Sequence, residues 1–256
     1  MRVRRRIAVA GATGRVGRHV VDVLEAAGHE VVPISRSRGV DVISGDGLEP
    51  ALEGVRCVVD AATGPSPEQD AATAFFTTAA RNLQAAGARA GVEHIVTVSI
   101  IGCDRFSGGY GAAKLAHEQA TLAGPIEARI LRAAQFHEFV RQLVDWGRRG
   151  KVSFVPRMRT QLVAARTVAE ELAKLATAGD SSRPPDRIPE IAGPREERLV
   201  EMARLLVARR GDAIAIEEVS DSDDPDAPLF ESGGLLPSRH ATLAGPTFQE
   251  WLRATS

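Results

Sequence analysis

A glycine-rich turn near the start of the chain places the tightest limit on what the chain can fold into. Before the turn, Ile7 to Ala10 form a short apolar run typical of a buried strand, and Val16 to Ala27 have the apolar spacing of a helix. The turn itself has the sequence Gly11-Ala12-Thr13-Gly14-Arg15-Val16-Gly17. Such a turn lets the backbone bend sharply and points the first N–H groups of the helix at an anion. The sequence therefore predicts a strand–turn–helix unit that binds the phosphate groups of a dinucleotide.

The three glycines have separate roles in this prediction. Gly11 permits the tight turn, Gly14 lets backbone amides approach a pyrophosphate, and Gly17 lets the helix pack closely on the strand. The spacing is GxxGxxG rather than GxGxxG, and in a chain with 24 glycines the alternative is a turn that binds nothing. We favour the dinucleotide site because the motif lies between a strand and a helix. The turn residues predicted to contact the cofactor are Gly11, Thr13, Gly14, Arg15, Val16 and Gly17.

The rest of the first two-thirds of the chain alternates short apolar runs with helical patterns. Further strands are predicted at 30–35, 40–44, 56–61, 94–99 and 128–131. Further helices are predicted at 68–90 and 110–122. Strands alternating with helices predict an α/β fold in which helices cover both faces of a parallel sheet.

After about residue 150 the pattern changes. Helices are predicted at 167–178, 198–210 and 247–253, with a strand at 213–219 and an acidic loop at 220–237. Thr167 with Glu170, and Thr247 with Glu250, have the spacing of a capping box at the start of a helix. We therefore predict a dinucleotide-binding domain over residues 1–155 and a small α+β region over 156–256. We expect this second region to be a small cap that partly continues the main sheet.

Composition narrows the class of partner. The 32 basic residues nearly balance the 33 acidic ones, which argues against a protein that coats nucleic acid. No apolar run approaches the roughly 18 residues of a membrane helix, and the histidines show no metal-binding spacing. Cys57 and Cys103 form no CxxC pair, and two thiols in a chain of 256 residues indicate the reducing cytoplasm. We therefore expect a cytoplasmic protein with a small-molecule substrate and no metal, nucleic-acid or membrane site.

The end of the second predicted strand indicates which dinucleotide is bound. Folds that prefer NAD carry an Asp or Glu there for the ribose 2′-hydroxyl, whereas this chain has Ser35-Arg36-Ser37-Arg38. The Arg36 guanidinium suits a doubly charged 2′-phosphate, with Ser37 and Arg38 as helpers, so NADP(H) is preferred and NAD(H) is the other option. A solvated basic turn is the alternative in a chain with 29 arginines. Asp46 follows the next predicted strand, where it either meets the adenine amino group or is an ordinary turn residue.

Tyr110 and Lys114 form the second chemical signal. Tyr110 is the only tyrosine, Lys114 is one of three lysines, and their spacing in a predicted helix turns both side chains the same way. A phenol titrates near pH 10, and a neighbouring ammonium lowers its pKa, so Tyr110 becomes an acid–base group for a carbonyl. Ser99, at the end of a predicted strand, is placed to hold the same oxygen. The alternatives are a half-buried helix tyrosine and an ordinary strand-end hydroxyl.

Together these residues resemble the short-chain dehydrogenase/reductase superfamily, and within it the atypical NmrA-like branch of NAD(P)H-binding proteins. The resemblance rests on the glycine-rich turn, on Ser99-Ile-Ile-Gly102 and on the Tyr110/Lys114 pair, and it extends to 131–139, 163–169 and 191–194. It implies a Rossmann-type doubly wound parallel sheet with a small C-terminal substrate region. It also implies that the nicotinamide side of the cofactor is lined by Ala61, Ala62 and Thr63.

The expected function is that of an NADP(H)-dependent oxidoreductase, which passes hydride to a small carbonyl or quinone-like substrate. A redox sensor that binds NADP(H) without turnover is the first alternative, and an enzyme like the nucleotide-sugar epimerases is the second. Phe136 and His137, after the sixth predicted strand, are candidate substrate contacts. The alternatives are a core residue for Phe136 and a satisfied polar residue for His137. The alanine-rich helix from Glu68 forms the face of a homodimer or packs within one chain. Asn82 in this helix is a candidate for a proton relay or an ordinary polar residue.

Overall fold

The computed structural model describes residues 4–179 and 187–255. Within them the strands are β1 (Arg6–Ala10), β2 (Glu30–Ile34), β3 (Cys57–Asp60), β4 (His94–Ile100), β5 (Glu127–Ala133), β6 (Arg148–Arg149), β7 (Val152–Pro156), β8 (Arg159–Thr160), β9 (Glu190–Ala192), β10 (Glu197–Arg198), β11 (Ala215–Val219) and β12 (Thr242–Leu243). The helices are α1 (Gly17–Ala26), α2 (Leu48–Leu52), α3 (Gln69–Ala90), α4 (Gly109–Leu122), α5 (His137–Trp146), α6 (Ala165–Thr177), α7 (Leu199–Arg210), α8 (Ala227–Ser232) and α9 (Phe248–Ala254). Short 3₁₀ turns lie at Arg36–Arg38 and Cys103–Arg105.

These elements group into two compact units, and the chain passes between them several times. The first unit takes its residues from Met1–Ser99, Gly108–Arg132 and Val168–Pro189. The second unit takes its residues from Ile100–Ser107, Ala133–Thr167 and Glu190–Ser256. Each unit is therefore assembled from separated segments rather than from one continuous stretch of chain.

The first unit is built on neighbouring strands in the order β5-β4-β3-β1-β2. β1 runs parallel to β2 and β3, with Ala10 beside Ile34 on one side and beside Asp60 on the other. Ile7 to Ala10 are each 0% exposed. Because side chains alternate between the two faces of a strand, both faces of the sheet are covered at β1. The predicted Rossmann-type α/β fold is confirmed.

Helix α3 packs against α2 and α4. Its buried side chains are mostly small, so neighbouring backbones come close to it, and they include Ala72, Ala79, Ala80 and Ala86. Gly87 serves the same purpose, because a Cβ there would lie 2.7 Å from the Ile126 side chain. The alanine-rich pattern therefore packs within one chain, and the homodimer stays a prediction.

The predicted strand at 40–44 is wrong, because this segment forms a turn. The Asp41 carboxylate accepts a hydrogen bond from Ile43 N at 2.7 Å. The side-chain amide of Asn82 on α3 donates to the carbonyl groups of Val42 and Ile43. These bonds occupy backbone groups that a strand would use to pair with its neighbour. Asn82 thus fastens the turn to α3, which is the ordinary polar role left open by the sequence.

One of the two predicted capping boxes is confirmed and the other is wrong. Thr247 is the N-cap of α9, and it exchanges both capping-box hydrogen bonds with Glu250. Helix α6 begins at Ala165 rather than at Thr167. The N–H of Ala165 donates to the carboxylate of Glu138, so a side chain from another helix satisfies this helix start. Thr167 lies inside the helix.

The second unit combines short strands with helices. Strand β7 pairs in parallel with β11 and antiparallel with β6, β8 pairs antiparallel with β10, and β9 pairs in parallel with β12. Helix α7 packs against α5, α9 and β7. The core of the unit includes Val155, Leu162, Leu206 and Phe248. Helices α2, α5 and α8 lie in segments for which the sequence predicts no helix, and α8 interrupts the predicted acidic loop at 220–237.

A buried glutamine in the first unit ties α3 to the chain between α4 and β5. Gln84 is 2% exposed, and its side-chain NH₂ donates to Thr121 O at 2.7 Å and to Ile126 O at 3.2 Å. Its side-chain oxygen accepts from Ile126 N at 2.8 Å. One side chain therefore satisfies three backbone polar groups that are shut off from water.

We expect Gln84→Met to lower the free energy of unfolding by about 3 kcal/mol, because it leaves buried backbone groups without partners. Methionine has a similar volume, so the loss reports hydrogen bonding rather than a cavity. Denaturant unfolding measures the change. The matched control is Gln119→Met on the exposed side of α4, for which we expect a change within about 0.5 kcal/mol. Equal stability of the two variants would contradict this role.

Candidate functional site

The order of the strands in the first unit marks a place where a ligand can bind. From β1 the chain first adds β2 on one side, and then adds β3, β4 and β5 on the other side. In open α/β sheets, ligands bind at the carboxyl ends of the strands where the winding reverses in this way. The carboxyl end of β1 leads into the glycine-rich turn, and that of β3 leads into Ala61-Ala62-Thr63. The structure therefore brings these two predicted cofactor segments to one edge of the sheet.

The turn from Gly11 to Gly17 packs tightly on the backbone that follows β3. Gly11 has a φ of 73°, which favours glycine, and a Cβ there would lie 2.6 Å from the carbonyl oxygen of Ala61. A Cβ on Gly17 would collide with the carbonyl oxygen of Gly11. Gly14 N donates to that same oxygen at 2.8 Å. The predicted roles of Gly11 as a tight turn and of Gly17 as a close contact both fit this geometry.

The start of α1 is suited to binding phosphate. Its N-cap, Val16, makes no side-chain cap, and the first turn of the helix holds no acidic residue. Thr13 and Arg15 are exposed, whereas Val16 is buried. The N–H groups and the positive dipole end of a helix attract an anion. The residues present therefore fit the pyrophosphate of a dinucleotide.

The segment predicted to hold a 2′-phosphate follows β2. Arg36, Ser37 and Arg38 form a 3₁₀ turn directly after Ser35, and all three are exposed. The hydroxyl groups of Ser35 and Ser37 are hydrogen-bonded at 3.0 Å. Asp46 is also exposed, in the turn that replaces the predicted strand. The Arg36 guanidinium is therefore accessible to an anion, and Asp46 to a hydrogen-bond donor.

Tyr110 lies in the first turn of α4, where α3 holds it in place. Gly109 N donates to Gln69 Oε1 at 2.7 Å, so the start of α3 caps α4. The rings of Tyr110 and Phe76 meet edge to face with centroids 5.7 Å apart, and 37% of Tyr110 is exposed. Partial burial raises the pKa of Tyr110, and the positive charge of Arg15 opposes that shift. The phenol therefore keeps its proton at neutral pH.

Lys114 turns into the core from the same helix. Its Nζ donates to Val98 O at 2.8 Å and to His117 Nδ1 at 2.9 Å, and the residue is 4% exposed. The positive charge of Arg15 in the glycine-rich turn acts to lower the pKa of Tyr110, and the predicted effect of Lys114 on that pKa stays a prediction. Spacing along a helix sets the face from which a side chain leaves, but a lysine is long enough to reach partners elsewhere.

The remaining predicted residues of the first unit differ in how accessible they are. Ser99 is 1% exposed at the end of β4, next to the Val98 carbonyl that binds Lys114. Ala61 and Ala62 are buried, whereas Thr63 is exposed. The predicted cofactor-binding and catalytic residues all belong to the first unit.

Two polar residues of this region escape the sequence patterns, Asp60 and His117. His117 Nε2 lies 2.9 Å from Asp60 Oδ2, and Asp60 Oδ1 accepts from Ala62 N at 3.0 Å. Both residues are 1% exposed. One sequence signal could have identified His117 as a neighbour of Lys114, because His117 lies three residues after it on a predicted helix. Its pairing with Asp60, 57 residues away, depends on how α4 packs on the sheet.

Phe136 and His137, the predicted substrate contacts, belong to the second unit. Phe136 bridges to Val163 and is the N-cap of α5. His137 is 1% exposed, its ring meets the Phe248 ring edge to face, and its Nε2 donates to Pro246 O at 3.0 Å. Burial lowers the pKa of His137 to about 4. The hydrogen bond to Pro246 O fits the satisfied polar residue that the sequence left open for His137, and the substrate role of both residues stays a prediction.

Metal ions and membranes are two further kinds of partner that a chain of this size could have. In residues 4–179 and 187–255, no three His, Cys, Asp or Glu side chains are grouped so that they could hold a metal ion. The helices of the described chain include none with the length and apolar character to span a membrane. Cys57 and Cys103 are buried, and burial raises the pKa of the Cys57 thiol.

Residues 11–137 match the model of a family described as NAD(P)H-binding. None of the curated protein sequences matches the chain. Among solved structures, a short-chain dehydrogenase/reductase superfamily protein from Agrobacterium tumefaciens with bound NAD has a TM-score of 0.65 at 19% identity, covering 98% of this chain and 95% of that chain. The family match confirms the predicted NAD(P) class of cofactor.

Two further solved structures have the same fold and different activities. An NADPH-dependent quinone oxidoreductase from Escherichia coli has a TM-score of 0.62 at 18% identity, covering 97% of this chain and 99% of that chain. UDP-N-acetylglucosamine 4-epimerase from Bacillus cereus has a TM-score of 0.68 at 19% identity, covering 98% and 94%. At these identities the likeness shows the fold alone. The predicted resemblance to the short-chain dehydrogenase/reductase superfamily is confirmed at that level.

Because Tyr110 is the only tyrosine, the ultraviolet absorbance of its phenolate reports a single group. We expect the folded protein to titrate above the ordinary phenol pKa of about 10. Arg15→Gln should raise the pKa of Tyr110 further, because it removes the opposing positive charge. Arg18→Gln, on the exposed side of α1, is the matched control and should leave that pKa unchanged. An equal shift in both variants would contradict a specific effect of Arg15.

Proposed function

Since residues 11–137 match the model of a family described as NAD(P)H-binding, we propose that the chain is an NADP(H)-dependent oxidoreductase that reduces a small carbonyl or quinone-like substrate. The observation that carries the proposal is the placement of the glycine-rich turn, which leads into α1 from the carboxyl end of β1 and packs on the backbone of Ala61 and Ala62. The same unit carries the Tyr110 phenol, which is 37% exposed and can donate a proton. A reductase needs both a cofactor site and a proton donor.

The first unit supplies the contacts that the cofactor requires. Gly11, Gly14 and Gly17 leave room for the pyrophosphate at the start of α1, with Thr13, Arg15 and Val16 completing the turn. Arg36 and Ser37 bind the 2′-phosphate, so NADP(H) is preferred over NAD(H). Asp46 meets the adenine, and Ala61, Ala62 and Thr63 line the nicotinamide side. When bound, NADPH supplies the hydride for the reduction.

Tyr110 acts as the proton donor. Because its pKa is raised, the phenol holds its proton at neutral pH and gives it to the substrate oxygen as that oxygen becomes basic. Arg15 stabilises the phenolate that remains. In this proposal Lys114 bonds to the nicotinamide ribose, and Ser99 steadies the substrate oxygen from the end of β4. A phenol that is protonated at rest favours reduction over oxidation at neutral pH.

A redox sensor that binds NADP(H) without turnover is the second candidate. The observation that favours it is the Lys114 ammonium, which is 4% exposed and bound to Val98 O and His117 Nδ1 within the first unit. Unequal affinity for NADP⁺ and NADPH, with no turnover of any carbonyl or quinone, would support this candidate. An epimerase-like enzyme is the third, and a nucleotide cofactor retained through purification would support it.

We expect wild-type protein to bind NADPH more tightly than NADH, and Arg36→Ala to weaken NADPH binding by about tenfold or more. The reason is the loss of charge-assisted hydrogen bonds to the 2′-phosphate. Binding of NADH, which has no 2′-phosphate, should be unaffected. Calorimetric titration gives each affinity. Arg141→Ala removes the same charge from an exposed position on α5 and should change neither affinity. Equal losses for both cofactors would remove Arg36 from the 2′-phosphate site.

We expect Tyr110→Phe to retain NADPH affinity, because phenylalanine keeps the ring contact with Phe76. We expect it to lower turnover by about 100-fold, because phenylalanine has no hydroxyl proton to donate to the substrate. NADPH consumption with a panel of small quinones and aldehydes measures the rate. The measurement requires a substrate that the wild-type protein turns over. Full activity of the variant with that substrate would exclude Tyr110 as the proton donor.

A further inference from the structure

Asp60, His117 and Lys114 form a buried polar chain inside the first unit. Lys114 Nζ lies 2.9 Å from His117 Nδ1, and His117 Nε2 lies 2.9 Å from Asp60 Oδ2. The three residues are between 1% and 4% exposed. The Phe76 ring stacks on the His117 ring with centroids 4.7 Å apart, and Lys114 Nζ lies 4.4 Å from the centroid of the Phe76 ring. Buried charges are costly unless their hydrogen bonds are well satisfied, so this chain requires an explanation.

The proton positions follow from what each atom can donate. An ammonium only donates, so His117 Nδ1 accepts from Lys114. The ring proton is then on Nε2, which donates to the Asp60 carboxylate. Burial acts to raise the pKa of Asp60, but the hydrogen bond and charge of His117, with the Ala62 N–H and Lys114, lower it overall. Burial and the Lys114 charge lower the pKa of His117, so the chain consists of an ammonium, a neutral imidazole and a carboxylate.

Asp60 also connects the buried polar chain to the glycine-rich turn. Its Oδ1 accepts from Ala62 N at 3.0 Å. The Ala62 Cα would lie 2.8 Å from a Cβ on Gly11, so the backbone held by Asp60 is the backbone on which the turn rests. At the other end of the chain, Lys114 is bound to Val98 O on β4. The Asp60 carboxylate therefore holds two groups in place: the Ala62 backbone that contacts the glycine-rich turn, and the His117 imidazole that orients Lys114.

We propose that Asp60 and His117 are positioning residues that keep the Lys114 ammonium charged and oriented for contact with the nicotinamide ribose. The inference rests on the proposed function, because that function assigns Lys114 to the cofactor. A structural cluster would need only that its polar atoms are paired. The positioning role also requires one ring tautomer, since His117 accepts from Lys114 only when its proton is on Nε2. The two roles are therefore separable by experiment.

The variant Asp60→Asn is nearly isosteric, and it should reverse the tautomer of His117. Ala62 N donates to one side-chain position, so the new amide places its oxygen there and its NH₂ group toward His117 Nε2. Nε2 must then accept, and the ring proton moves to Nδ1, where it faces the Lys114 ammonium. Because two donors then face each other, Lys114 loses its proton or turns away.

The two tautomers predict different pH dependences of cofactor binding. The charged groups around His117 are Lys114 and Glu118 on its own helix and Asp60 on β3, while α3 contributes the Phe76 ring. Because the pKa of His117 is lowered from 6.5, the wild-type ring stays neutral between about pH 7 and pH 9. Wild-type affinity for NADPH should be flat over that range. In Asp60→Asn it should fall as the pH rises, because Lys114 gives up its proton.

Two measurements test the inference. In cofactor-free protein, long-range nitrogen–proton NMR correlations should show His117 as the Nε2–H tautomer in the wild type and as Nδ1–H in Asp60→Asn. Calorimetry between about pH 7 and pH 9 should show NADPH binding that is about tenfold or more weaker in Asp60→Asn and weakens further as the pH rises.

Further variants separate positioning from packing. His117→Met should lose NADPH affinity, whereas His117→Gln should keep most of it, because an amide can accept from Lys114 and donate to Asp60. His94→Gln, in an equally buried position on β4, is the matched control and should bind NADPH as the wild type does. Thermal unfolding verifies that each variant is folded. If Asp60→Asn does not fold, the contrast between the two His117 variants decides the inference.

The outcomes distinguish the inference from the proposed function. Folded wild-type protein that binds no NADPH would overturn the proposed function, and the inference with it. Normal NADPH binding together with an Nδ1–H tautomer in the wild type would overturn the inference alone. The inference alone also fails if Asp60→Asn keeps the wild-type affinity and pH profile, or if His117→Gln binds as weakly as His117→Met.

Discussion

The contact of Gly11 with the backbone of Ala61 and Ala62 is the constraint on which the first unit depends. A Cβ at Gly11 would collide with that backbone, and a Cβ at Gly17 would collide with Gly11 itself. The turn, helix α1 and the sheet therefore pack with no room for a side chain at these positions. This contact sets where α1 begins and where Arg15 stands relative to Tyr110. Through the N–H of Ala62 it also reaches Asp60, and hence the buried chain that ends at Lys114. The glycine-rich turn and the buried polar chain that ends at Lys114 therefore both depend on the position of the Ala61 and Ala62 backbone.

Local sequence patterns predicted the elements that frame this contact. Apolar spacing located β1 and α1, and the capping box at Thr247 marked the start of α9. These succeeded because the interactions that form them lie within a few residues of each other. The prediction of a strand at 40–44 failed because contacts with a distant residue decide the structure of that segment. Its apolar residues resemble a strand, but Asp41 and the distant Asn82 bind the backbone groups that pairing would need.

The chemistry of the site was less predictable than its position. The four-residue spacing of Tyr110 and Lys114 correctly identified two residues of one helix face, but the spacing could not show where a long lysine side chain ends. His117 and Asp60 decide that, and they meet only after α4 has packed on the sheet. Likewise, Arg15 of the glycine-rich turn, far from Tyr110 in the sequence, acts to lower the pKa of that residue. Long-range packing, which no local pattern records, thus assigns the partners of each titratable group.

The interleaving of the two units has a consequence for synthesis on the ribosome. The Arg129 guanidinium on β5 donates to Leu175 O at 3.1 Å, and the Arg5 guanidinium, beside β1, donates to Ala178 O at 3.4 Å. The first strands to emerge thus acquire these partners only after the end of α6 has been translated. Until then the nascent chain carries an unfinished sheet, whose apolar surface and open edge are exposed to other chains. Apolar surface and strand edges that stay exposed during synthesis make an incomplete chain prone to aggregation.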